Sequence, residues 1–105
     1  MDELPVLSKR LREARAAADI SQEQLGILAG IDEFSASARM NQYERGRHAP
    51  NNQLMRRIAK VLGRPVSYFY AEEDQLAVLL EAYGQLSARK RKRLLEFAAG
   101  MLDAR

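Results

Sequence analysis

The stretch that decides the fold runs from Ser21 to Asn51, SQEQLGILAGIDEFSASARMNQYERGRHAPN. Ser21-Gln22-Glu23-Gln24 has the capping-box form, in which the Ser hydroxyl accepts the amide three residues on and the Gln side chain reaches back. That opens a short helix. Leu25, Leu28 and Ala29 supply its inner face, and Gly30 is the residue type that stops a helix in a left-handed conformation. Ser35 then caps a third helix whose inward residues are Ala36, Met40 and Tyr43, spaced i, i+4, i+7, and Gly46 ends it. Two short helices meeting at a Gly-bearing turn present the second as an exposed ridge.

Upstream, Val6, Leu7, Leu11, Ala14 and Ala18 recur at helical spacing and mark a first helix ending near Asp19. Downstream, His48-Ala49-Pro50-Asn51 is a loop followed by a cap, and Met55, Ile58, Ala59 and Leu62 form the stripe of a fourth helix closed by Gly63. Pro65 breaks the chain again. Val66 to Tyr70 has room for a helical turn or two, with Val66 and Phe69 plugging the core. After Glu72-Glu73-Asp74, the spacing of Leu76, Leu79, Leu80 and Tyr83 predicts another amphipathic helix, followed by Gly84 and a cap at Ser87. The last helix joins the basic run Arg89 to Arg93 to a stripe of Leu94, Phe97, Ala98, Met101 and Leu102. Nothing reads as a strand or a repeat. The expected fold class is all-α, with a helical body over residues 1–70 and a C-terminal helical hairpin over 71–105.

Composition narrows the function classes. A chain of 105 residues holds one modest core, and 47% hydrophobic with 30% charged residues fits a globular protein. There is no cysteine, which removes disulfides, thiolate metal sites and thiol redox chemistry and leaves stability to packing alone. No apolar run approaches the roughly 20 residues that span a bilayer. The start, Met1-Asp2-Glu3-Leu4-Pro5, lacks a secretory layout, so a cytoplasmic location is the expectation. With a single histidine, no Gly-rich phosphate loop and no metal-ligand cluster, an enzyme is disfavoured, and neither cofactor nor metal is expected. The net charge is +3 with a pI near 9.5, and its distribution is uneven. Between Lys9 and Arg64 stand eleven Lys/Arg against six Asp/Glu, whereas residues 71–105 carry six of each sign. The first two thirds therefore suit a polyanion partner.

Three blocks in order, Ser21-Gln22-x-x-Leu25-x-x-x-Ala29-Gly30, Tyr43-Glu44-Arg45-Gly46-Arg47-x-x-Pro50 and Ile58-Ala59-x-x-Leu62-Gly63, resemble the helix-turn-helix family of the Cro and phage-repressor type. The resemblance covers about residues 6–70 and implies a five-helix body, a double-stranded DNA partner and a transcription regulator, with repression as its expected sign. It implies base reading by Ser37, Ala38 and Gln42, flanked by Arg39 and Asn41. Gln42 is the best reader, since its amide can pair with adenine N7 and N6 together. It implies phosphate contacts by Gln22, Arg45, Arg47 and Asn51, and a structural salt bridge between Arg15 and Glu44.

The chain departs from the pattern in its Gly30-to-Ser35 link, about four residues longer than the usual turn of roughly 3 to 4, which starts the third helix early or bulges the turn. Gly26 stands where relatives usually have Ala. Ile27 and Leu28 replace commonly polar positions, and cover by Phe34 or the C-terminal helices is expected. Those last helices serve either as extra core or as a homodimer surface, for which Leu76, Leu79, Leu80, Tyr83, Leu94, Phe97 and Met101 are the candidates. A dimer implies a palindromic operator with half-sites about 34 Å apart. Arg89 to Arg93 reads first as a solvated helix start and His48 as an exposed loop residue. The rival reading is an antitoxin or anti-repressor that keeps the scaffold and captures another protein.

Overall fold

The computed structural model describes residues 4–103, all helix and connecting turn, with no strand among them. The elements are α1 (Val6–Ala18), α2 (Gln22–Leu28), α3 (Ala36–Glu44), α4 (Asn52–Leu62), a 3-10 segment (Val66–Tyr70), α5 (Asp74–Gln85) and α6 (Ala88–Asp103). Each starts where local chemistry dictates. Ser21 forms the full capping box with Gln24, and the Asn51 side chain accepts the Leu54 amide at 2.8 Å to cap α4. Asp19 ends α1 and Gly63 ends α4, both in left-handed geometry.

One core unites the first five elements. Leu11 and Ala14 of α1, Leu25 at the heart of α2, Ala36, Met40 and Tyr43 of α3, and Leu54, Met55, Ile58 and Ala59 of α4 close around Phe69, which is fully buried. Val66 and Leu62 are half-buried at its margin. Ala18, assigned by spacing to the inner stripe of α1, is exposed because the helix runs past the core. At the α2/α3 crossing the backbones nearly touch, since a Cβ on Gly26 would lie 2.8 Å from the Ala36 Cβ and 3.0 Å from its carbonyl oxygen.

The α2-to-α3 link corrects two expectations. α3 starts no earlier than Ala36, and Ser35 does not cap it; the Ser35 backbone is already near helical and its hydroxyl points back to the Asp32 carbonyl. Asp32 organises the turn, its carboxylate accepting the Phe34 amide at 3.0 Å and its carbonyl accepting that of Ser35. The added length instead sends Ile31 into the core. Nor are Ile27 and Leu28 covered. They are 43% and 63% exposed, and Phe34 is 90% exposed. A helix of seven residues has one inward face, filled here by Leu25, Gly26 and Ala29, and the C-terminal helices attach elsewhere on the body.

α5 packs on the 3-10 segment through Ala77, its one buried residue, and continues one residue beyond Gly84. Ser87 caps α6, which has no buried residue. Leu80, half-buried, packs with Ala77 against the core, and Leu94 is half-buried, whereas Leu76, Leu79, Tyr83, Phe97 and Met101 are exposed.

Gly46, just past α3, has φ +73°, and an added Cβ would lie 2.6 Å from Pro5 Cδ. Gly46→Ala is expected to cost about 2 kcal/mol or more, from left-handed strain and the clash together. Urea unfolding measures it, and unchanged stability would contradict this packing.

Candidate nucleic-acid interface

α3 has nine residues, too few to hold together in isolation, so its outer surface depends on what grips its inner face and its end. The grip at the end is ionic. Glu44, the last residue of α3, is 1% exposed, and Arg15 of α1 meets its carboxylate side-on, Nε donating to Oε2 at 2.6 Å and Nη2 to Oε1 at 3.0 Å. The remaining Arg15 nitrogen, Nη1, donates to the Ile20 carbonyl at 2.9 Å. Gln22 Nε2 gives Glu44 Oε1 a further bond at 3.3 Å, bringing α2 into the same joint. Ser8 Oγ donates to the Tyr43 carbonyl at 2.6 Å, and Arg12 Nη2 to that of Glu44 at 3.3 Å. The Tyr43 carbonyl, which also accepts the Gly46 amide, and the Glu44 carbonyl at the helix end are thus both bonded. The hydrogen bond to Glu44, set against burial, raises the Arg15 pKa above its ordinary value. The pair implied by the resemblance is thus present, and its Gln22, Arg12 and Ser8 partners went unread; Ser8, Arg12 and Arg15 recur at helical spacing on α1, the one signal that pointed to them.

On the outside of α3, Ser37, Ala38, Arg39 and Gln42 are exposed, and among the described residues no helix lies over them. Ala38 and Gln42 stand one turn apart and share a face. Arg39 lies along the helix, donating to Tyr43 Oη at 2.8 Å with its guanidinium 5.9 Å from that ring's centroid. Asn41 is half-buried, its oxygen accepting from Gln22 Nε2 at 3.4 Å. Gln22 and Asn41 are therefore tied to each other, and each must loosen that bond to reach a ligand. Arg45, Arg47 and His48 follow α3 as exposed residues, while Asn51 stands at the start of α4 with its side-chain oxygen used as the cap. Among the described residues no buried side-chain nitrogen or oxygen lacks a partner.

Several arginines that the sequence leaves to the surface are joints instead. Arg57 Nε donates to the Ala29 carbonyl at 2.7 Å, tying α4 to the end of α2. Arg91, in the run read as solvated, is half-buried, donates to the carbonyls of Tyr83 and Gly84 at 2.9 and 3.1 Å, and lies 4.6 Å from the Tyr83 ring centroid. Arg10 is buried outright.

A short helix braced across a second one, with an exposed outer ridge and arginines just beyond its end, defines a helix-turn-helix module. The family model of the helix-turn-helix domain matches residues 6–67. The chain belongs to that family, and it is a DNA-binding transcriptional regulator of the Cro and phage-repressor type. It is similar to a solved structure, the crystal structure of transcriptional regulator BswR, with a TM-score of 0.84 and 48% sequence identity over 92% of this chain and 96% of that one. No curated protein matches it. Among the described residues no helix is long and apolar enough to cross a membrane.

Glu44→Ala leaves Arg15 facing an empty partner in a partly buried site and is expected to cost about 3 to 5 kcal/mol in urea unfolding. The paired Arg15→Met, Glu44→Leu replacement recovers much of that loss, since it removes both charges. Equal loss in both variants would show that packing, not the ion pair, holds α3.

Proposed function

We propose that the protein is a sequence-specific regulator that reads double-stranded DNA in the major groove with α3, as a homodimer on a palindromic operator. The observation that carries this is the exposed face of Ser37, Ala38 and Gln42 on a helix whose other sides are locked by core packing and the Glu44 joint. A ridge fixed in advance loses little freedom on entering the groove. Gln42 pairs with an adenine edge, Ser37 donates or accepts, and Ala38 contacts a thymine methyl. Arg39 and Asn41 flank them and reach bases by releasing Tyr43 and Gln22.

Arg45 and Arg47, after the ridge, meet phosphate and set the register, with the amide nitrogen of Asn51 and with Gln22 at the edge of α2 in support. For the dimer, Leu76, Leu79, Tyr83, Phe97 and Met101 supply exposed apolar surface that a single chain rarely leaves in water, with Leu80 and Leu94 half-buried between them. Leu79, Leu80, Tyr83, Leu94, Leu95 and Ala98 enclose a groove of about 210 Å³ between α5 and α6, of a size to receive a partner's side chains. A rigid dimer on its operator excludes other proteins from that duplex, so repression is the proposed sign.

The second reading, capture of another protein, draws support from the uncovered Ile27, Leu28 and Phe34. Salt separates the two, because contacts to several phosphates make log affinity fall linearly with log salt, while an apolar interface hardly responds.

Gln42→Ala is expected to relax sequence preference by about 1 to 3 kcal/mol at one position, and Arg47→Ala to weaken all duplexes alike and flatten the salt slope by about one unit. Binding titrations on matched and mismatched duplexes at several salt concentrations read both. Equal loss on every sequence for Gln42→Ala would remove it from the reading role. Phe97→Asp is expected to halve the sedimentation mass of the free protein, and an unchanged mass would move the interface elsewhere.

A further inference from the structure

On the side of α1 away from Glu44, Arg10 is 3% exposed and reaches forward into the start of α5. Its Nε donates to the Ala71 carbonyl at 2.9 Å, Nη2 to the Glu72 carbonyl at 3.3 Å and to Asp74 Oδ1 at 3.0 Å, and Nη1 to Glu13 Oε2 at 3.2 Å. Two guanidinium groups meet the Tyr68 ring, Arg10 6.0 Å and Arg64 4.5 Å from its centroid. Arg64 in turn donates to Glu81 Oε1, two thirds of the way along α5, at 3.4 Å. Near the helix end, Gly84 rests on Pro65 so closely that a Cβ would meet the proline Cδ at 2.7 Å. The helix that carries the hairpin is thus fixed to the DNA-binding body at its start, middle and end.

We infer that this clasp, built from Arg10, Tyr68 and Arg64 with Asp74, Glu81 and the Pro65–Gly84 contact, sets the direction of the α5–α6 hairpin and so the half-site spacing that the regulator accepts. The inference rests on the homodimer reading above. Asp74 is largely exposed and Glu81 partly so, and ion pairs to such groups contribute little to stability. What they do is orient. Arg10 is buried and must keep its partners, because an unmatched buried charge is costly, so the start of α5 has one position that satisfies it. α6 has sixteen residues, about 24 Å of helix, and none of them is buried on the body. A rotation of about 8° at the Pro65–Gly84 contact moves its far end by about 3 Å. In a dimer joined through these hairpins, the separation of the two α3 ridges follows the clasp. Arg10, Tyr68 and Arg64 are positioning residues, remote from the bases.

The test uses a half-site selected from a random pool by the wild-type protein, placed as palindromes whose centre-to-centre spacing changes one base pair at a time. The wild-type dimer is expected to lose about tenfold in affinity one base pair from its optimum. Gly84→Ala, which forces α5 off Pro65, shifts that optimum by a base pair or reduces the loss to less than about threefold, while affinity for a duplex with one half-site stays within about twofold. Asp74→Ala with Glu81→Ala, which adds no bulk and removes both acceptors, flattens the profile in the same way and carries the test alone if Gly84→Ala does not fold. A dimeric wild-type protein with a sharp optimum that persists unchanged in the folded variants overturns the inference and leaves the dimer standing. A wild-type protein that sediments as a monomer with no spacing optimum overturns the dimer reading and this inference with it.

Discussion

A carboxylate shut away from water determines how α3 is held on the body of this molecule. Glu44 closes α3, and its charge is tolerable there because Arg15 binds it with two nitrogens while Gln22 adds a third donor. The three residues come from three helices, so one charge fixes the relative placement of α1, α2 and α3. With the core beneath Ala36, Met40 and Tyr43, it converts a nine-residue helix of weak intrinsic stability into a rigid edge. The outward side chains are then free of any structural duty except for Arg39 and Asn41, which hold Tyr43 and Gln22.

The same device recurs through the chain. Arg57 joins α4 to α2, Arg10 and Arg64 join the body to α5, and Arg91 joins α6 to the end of α5, in each case through a backbone carbonyl or a carboxylate. A protein without cysteine thus closes its joints with guanidinium groups, whose planar set of five donors can reach several acceptors at once. Burial alone would disfavour the charge on Arg10, but its pairs with Asp74 and Glu13 more than reverse this and its pKa is raised. Burial raises the Tyr68 pKa, against the pull of Arg64 and Arg10. The basic excess of the first two thirds is accordingly divided between joints and surface, with Arg45 and Arg47 on the outer side.

The helices were legible because their signals are local. Ser21 and Asn51 act as caps, Gly30, Gly46 and Gly63 adopt positive φ, and the inward faces of α3 and α4 follow their apolar periodicity. What escaped sequence reading is set by distance in the chain. Nothing near Arg10 announces that it will be buried against residues more than sixty positions away, and nothing near Arg91 marks it as a brace. Periodicity also misplaced Leu28, because a seven-residue helix has too little length for its whole apolar set to face inward. The Gly30-to-Ser35 link was read only as extra length; the Asp32 turn, the burial of Ile31 and the exposure of Phe34 depend on what α2 and α3 leave room for. For the interface, the family blocks located α3 and its end, while the Gln22–Asn41 bond emerges only when the two helices cross.

The account stands on the exposed face of α3 lying in the major groove, and methylation interference tests this most directly. Guanine N7 opens into the major groove and adenine N3 into the minor groove, so the two modifications report on different surfaces. The account predicts that methyl groups at N7 block binding in two clusters about one helical turn apart on one face of the duplex, with N3 methylation between them tolerated. Interference confined to N3, or none at either position, would contradict it.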